Sequence, residues 1–197
     1  GAALTRQQQE QVRELNSEIA VLRTQYRQNI QSEVNDLAIV VGSREELTGM
    51  SEALITAAQN EAESRDMQGK FVIPLLNTSG QPSLSNLQNR ALRERIYTTS
   101  ISRGSRGGAY DNRQVLSDVL RLRAQRAQLL GYASHADFTL EDTTAGLVTS
   151  VNHRLAELAP AAVANARIEA ADLQQMIEDD GLDFELKAWD WPYYTEK

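Results

Sequence analysis

The 197-residue sequence contains no cysteine, only two histidines (His135 and His153) and four prolines, and just 6% of it is aromatic. The missing cysteines exclude a disulfide scaffold, a thiolate metal site and a cysteine nucleophile. Two imidazoles leave metal chemistry few ligands. No apolar run approaches the ~20 residues of a membrane-spanning helix, so no membrane partner is expected. Long low-complexity tracts are missing too, and a 41% apolar share argues against disorder. The net charge of −7 disfavours bulk nucleic-acid binding. What remains is enough chain for one ordinary domain with its own core.

Helical periodicity dominates what is present. From residue 5 to about 36, Val12, Leu15, Ile19, Leu22, Tyr26, Ile30, Val34 and Leu37 recur at steps of three or four. This is the stripe of an amphipathic helix. Ala38-Ile39-Val40-Val41, closed by Gly42, and Phe71-Val72-Ile73-Pro74-Leu75-Leu76 are strand signals. Pro74 lacks a backbone donor and belongs on an edge. The two strands predict a small ribbon, parallel or antiparallel. Ser43 and Glu46 have capping-box spacing, and Ser51 should cap a helix through Leu54, Ile55, Ala58 and Ala62.

Asn77-Thr78-Ser79-Gly80-Gln81-Pro82 is turn chemistry. One helix is expected from near Pro82 through Leu84, Leu87, Leu92 and Ile96 to about Ser102. Gly104-Ser105-Arg106-Gly107-Gly108 is the most flexible stretch by composition. Asp111 or Asn112 should cap the next helix, with Val115, Val119, Leu122 and Leu129 inward and Gly131 as a left-handed terminator. Ser134 to Asp137 reads as another helix start. The last long helix, about Ala145 to Asp179, contains Pro160, which predicts a kink or break. The fold class is therefore mostly α: a single helical domain, residues 1–197, with long antiparallel helices and a small two-stranded β element.

No complete chemical centre is legible. His135 and His153 lie eighteen residues apart without an H-E-x-x-H pattern, so no three-ligand zinc site is encoded. A helix-start histidine beside Asp137, and a half-exposed His153, are the expected roles. There is no G-x-S-x-G and no G-x-x-x-x-G-K-[ST]. Glu178-Asp179-Asp180 before Gly181 reads as a hydrated helix end. Residues 90 to 126 hold nine arginines against Glu94, Asp111 and Asp118, an excess of six positives in an acidic chain. Without interleaved aromatics this patch should pair with acids or an adjoining domain, not with nucleic acid. The expected catalytic, cofactor-binding and metal residues of this chain are therefore none. The first residue is Gly1, with no basic-then-apolar leader after it, and four aromatics crowd Trp189-Asp190-Trp191-Pro192-Tyr193-Tyr194 just before the end. Such a cluster should have little to pack against, so a piece of a longer, cytoplasmic protein is expected.

Several stretches, in this order, carry a resemblance. They are Ile73-Pro74-Leu75-Leu76-Asn77-Thr78, Asn89-Arg90-Ala91-Leu92-Arg93-Glu94, Leu122 through Tyr132, Ser134-His135-Ala136-Asp137-Phe138 and Ala188-Trp189-Asp190-Trp191-Pro192-Tyr193-Tyr194. Together they resemble the thimet oligopeptidase and oligopeptidase A family of zinc metallopeptidases, most of all its peptidyl-dipeptidases. One departure is Asp142-Thr143-Thr144-Ala145, where relatives usually carry methionine before the alanine. The resemblance implies a large helical enzyme with a deep channel, removing C-terminal dipeptides from short peptides with a zinc-activated water. It also implies that the zinc ligands lie downstream of the W-D-x-x-Y-Y segment, so this chain would bind no zinc itself. Its partners would then be the rest of the parent polypeptide and, in the intact enzyme, short peptide substrates. The rival reading is an autonomous helical interaction module built on residues 5–36.

Overall fold

The computed structural model describes residues 4–78 and 80–197; Gly1, and Ser79 within the expected turn, lie outside the described residues. Seven α-helices and one two-stranded sheet follow in order: α1 Arg6–Asp36, β1 Ile39–Val41, α2 Glu52–Glu63, β2 Phe71–Ile73, α3 Arg90–Ile101, α4 Arg113–Leu129, α5 His135–Leu140, α6 Val148–Asp179 and α7 Trp191–Glu196. Single 3-10 turns occupy Glu45–Leu47 and Pro82–Ser85. The mostly-α expectation holds. The chain divides into two compact units: residues 1–29 with 111–165, and residues 30–110 with 166–197.

In the first unit α1 and α4 run antiparallel. Arg126 Nη1 donates to Asn16 Oδ1 at 2.7 Å near one end of the pair, and Asn29 Nδ2 to Asn112 Oδ1 at 2.9 Å near the other. The inward stripe expected on α4 is real, with Val115, Val119 and Leu122 buried. Asn112 spends its side chain on Asn29 and on the Tyr26 carbonyl, so Asp111 takes over the helix start by accepting from the Arg113 N–H. Gly131 adopts φ +89°, and the Tyr132 N–H reaches back to the Ala127 carbonyl, as a left-handed terminator requires. Ser134 Oγ caps α5 through the Asp137 N–H.

The second unit holds the larger core. Ile39, Val41, Leu47, Ile55, Ile73, Leu75, Leu84, Leu87, Leu92 and Ile96 form one buried cluster. β1 and β2 pair antiparallel, Ile39 opposite Ile73 and Val41 opposite Phe71. Two strands alone are marginal, and here Ile55, Ala58 and Ala62 of α2 are buried alongside them. Leu54, expected on that face, is exposed. Ser51 caps α2 as expected, while Glu46 accepts from the Gly42 and Ser43 N–H groups. Pro74 lies just past β2, where no ladder donor is needed. The last two turns of α6 and the short α7 make a second cluster, in which Leu173, Ile177 and Tyr194 are buried against Phe184, Leu186 and Trp191. The closing aromatics therefore do find packing partners, contrary to expectation.

Four further expectations are corrected. The helix expected from Pro82 to Ser102 is two pieces, because the Gln88 N–H pairs with the Thr48 carbonyl and Asn89 begins α3 afresh by capping Leu92. The final helix starts at Val148, not Ala145, since Gly146 at φ +65° cannot be helical. It then runs unbroken through Pro160. Both Pro160 and Ala156, whose carbonyl the missing N–H would have served, are exposed to water. Residues 152–169 of this helix are exposed throughout. Finally, Gly104, in the stretch expected to be flexible, is buried and donates its N–H to the buried Glu33 carboxylate.

Gly49 turns the chain close against the Asn86 backbone. Its φ is +99°, and an added Cβ would lie 2.0 Å from the Asn86 carbonyl oxygen. Gly49→Ala is expected to lower unfolding free energy by more than about 1 kcal/mol, read from the urea midpoint, whereas Gly131→Ala meets no atom and costs only its backbone strain.

Candidate functional site

The strongest concentration of charge and aromatic surface lies in the second unit, where residues 184–194 meet the first turn of α3. Arg90 and Arg93 are three apart and so share one face of α3. Between them sits Asp190, fully buried. Its Oδ1 accepts from Arg90 Nε at 3.0 Å and Arg93 Nη2 at 2.8 Å. Its Oδ2 accepts from Arg90 Nη2 at 2.9 Å and from the Lys187 N–H at 3.1 Å. Arg93 Nη1 is spent on the Leu87 and Gln88 carbonyls.

Aromatic rings complete the enclosure. The Arg90 guanidinium lies 4.1 Å from the Phe184 ring centroid and 5.5 Å from that of Trp189, and Arg93 lies 4.3 Å from Tyr193. Guanidinium over an aromatic face is favourable where water is scarce. Trp189 in turn leans on Tyr97 of α3, 6.1 Å between centroids. Burial raises the Tyr194 phenol above its ordinary pKa. The Arg93 Nε–H and the Trp189 indole N–H are buried with no hydrogen-bond partner among the described residues.

This geometry is a clamp. A carboxylate with two donors on each oxygen has no lone pair left to take a proton from substrate or to ligate a metal. The function it can perform is positional: it fixes the W-D-W-P-Y-Y segment on α3.

The residues weighed for catalysis are elsewhere. His135 heads α5, its Nδ1 buried without a partner among the described residues. Burial, and then the charges of Arg123 and Arg126, hold its imidazole below the ordinary histidine range. His153 is more exposed than expected, with Nε2 3.4 Å from Glu157. Ser105 lies in a loop after α3, away from any strand or helix start. Asp180 pairs with Lys197, and Asp179 accepts from Gln175. Among the described residues no three His, Cys, Asp or Glu side chains converge on a point that could hold a metal ion. The described residues therefore do not fit a catalytic zinc. No helix is long and apolar enough to cross a membrane among the described residues.

The arginine-rich stretch divides as pairing predicts, in part. Arg90 and Arg93 find Asp190, Arg113 finds Asp111, and Arg121 finds Asp118. Arg103 caps the Leu76 and Thr78 carbonyls instead. Asp190 was not singled out from the sequence: it lies about a hundred residues from its partners, and only the unbalanced arginines hinted that an acid was owed to α3.

Two expected outcomes follow from these geometries. Asp190→Asn leaves two guanidinium groups without their counter-charge and should cost ~3–5 kcal/mol, the usual penalty for breaking a buried pair. Trp189 and Trp191 are the only tryptophans and both flank the site, so urea unfolding followed by their fluorescence reads this directly. His135 has a depressed folded pKa, so its contribution to stability is complete above the unfolded value of about 6.5 and is lost as pH falls through the folded value. The thermal midpoint should therefore fall less between about pH 7.5 and 5 in His135→Gln than in the parent chain.

Comparison with known proteins bears on what this clamp belongs to. Residues 83–197, which include α3 and the whole W-D-W-P-Y-Y segment, match the profile of Peptidase family M3. The chain is 32% identical over 197 residues to the dipeptidyl carboxypeptidase of Escherichia coli K12, and 31% identical over 202 residues to oligopeptidase A of the same organism. It is 25% identical over 205 residues to a probable cytosolic oligopeptidase A of Arabidopsis thaliana. Each alignment covers 100% of this chain but 29% of the relative's length. This chain belongs to Peptidase family M3.

Proposed function

We propose that the chain is a non-catalytic helical segment of a zinc metallopeptidase whose parent removes dipeptides from the C-termini of oligopeptides. In this reading residues 1–197 act together as one helical part upstream of the zinc region, contributing a lobe or wall of the substrate channel. No catalytic, cofactor-binding or metal-ligating residue is assigned to it. Hydrolysis belongs to polypeptide outside it, and its partners are that polypeptide and, in the intact enzyme, short peptides. A cytoplasmic setting fits the same reading.

One observation carries the proposal. The chain aligns along its whole length with a dipeptidyl carboxypeptidase while spanning 29% of it. Two features support it. The described residues offer no cluster that could hold a metal ion. The best-built constellation, Asp190 with Arg90 and Arg93, has every carboxylate oxygen engaged and is suited to holding a segment in place.

The test compares the 197-residue chain with the complete reading frame of its gene, both with added zinc, on a blocked peptide that fluoresces when its C-terminal dipeptide leaves. The complete protein should turn over and the isolated chain should not. Cleavage by the isolated chain, or a complete frame without H-E-x-x-H, overturns the reading.

A further inference from the structure

The first unit contains a second group of arginines that the clamp does not use. Arg23, Tyr26 and Arg27 fall at i, i+3 and i+4 on α1 and share one face. Leu116, Val119 and Arg123 fall at i, i+3 and i+7 on α4 and share another. The two faces border a groove of about 270 Å³ between the antiparallel helices. The Asn112 amide, hydrogen-bonded to the Tyr26 carbonyl at 3.0 Å, ties α1 to the start of α4 beside it.

What distinguishes this groove is missing counter-charge. Arg113 and Arg121 on the same helix take Asp111 and Asp118. Among the described residues no carboxylate forms an ion pair with Arg23, Arg27, Arg123 or Arg126. Arg126 is satisfied only by the neutral Asn16 amide and the Phe138 ring, 5.1 Å away. The guanidinium groups also feel one another: burial, then the charges of Arg123 and Arg23, depress the Arg126 pKa. Like charges gathered in a chain of net charge −7 are a cost that an anion would remove.

We propose that the groove between α1 and α4 binds a dianionic oxyanion, the phosphate group of a small phosphorylated molecule or free inorganic phosphate, through Arg23, Arg27 and Arg123. Planar guanidinium forks donate bidentately to the oxygens of a tetrahedral anion, and opposed forks from two helices can grip it from both sides. The half-exposed Tyr26 and Leu116 supply an apolar wall for a short organic substituent. A groove of this modest volume favours a compact ligand. A nucleic acid would need positive charge repeated along a track; here Arg23 and Arg27 span a single helical turn, about 6 Å. The proposal is independent of the peptidase reading.

The test is isothermal titration of the 197-residue chain at fixed ionic strength in chloride buffer, with inorganic phosphate in one arm and glycerol 3-phosphate in the other. Saturable one-site binding is expected. Tighter binding of the ester identifies a phosphorylated molecule as the source, and tighter binding of phosphate identifies the free ion. The Arg23→Gln/Arg123→Gln double variant should weaken binding about tenfold or more. Arg121→Gln, whose partner is Asp118, should leave it unchanged. If circular dichroism finds the double variant unfolded, Arg27→Gln at its exposed position reads the same loss. Absence of saturation, equal binding by the double variant, or tighter binding of triglutamate or a single-stranded oligonucleotide than of either phosphate overturns the assignment.

Discussion

A single buried carboxylate organises the second unit. Asp190 lies out of contact with water, and an isolated charge there would be prohibitive. Two guanidinium groups and one backbone N–H remove that penalty, and in doing so they dictate where α3 and the closing segment must lie relative to each other. The aromatic rings of Phe184, Trp189 and Tyr193 then settle over the same guanidinium groups. Their apolar faces exclude the solvent that would otherwise weaken each ionic bond. Charge and packing at this point are one arrangement, and the neighbouring burial of Leu173, Ile177 and Tyr194 extends it along α6.

Much of the secondary structure was readable because its causes are local. The step of three or four in α1, the serines at 51 and 134, and the glycine at 131 act within one helical turn of themselves, and each behaves in the structure as its chemistry requires. The misreadings share a different origin. The interruption between Ser85 and Arg90 is set by a hydrogen bond to Thr48, some forty residues earlier. Gly104 is immobilised by Glu33, 71 residues away. Periodicity carries no information about such partners.

The same division explains the site. That Asp190, in a run noted for its aromatics and for the resemblance it carries, would become the most enclosed acid in the unit could not be read from the sequence, because its three donors come from α3 and from a turn near the terminus. Nine arginines against three acids gave the only hint, and it could not say which arginines would be matched at a distance and which, such as Arg23's neighbour Arg123, would be left without an acid.

Residues 152–169 of α6 are all exposed, with Leu155, Leu158 and Val163 only about half covered. Most helices in folded proteins persist because one face is covered. This stretch leans more on backbone propensity, and its composition answers that demand: Ala159, Ala161, Ala162, Ala164, Ala166 and Ala170 crowd into and just beyond it. Pro160 works against them from within. Amide protons on either side of that proline should therefore open by local fraying long before those near the buried Ile177.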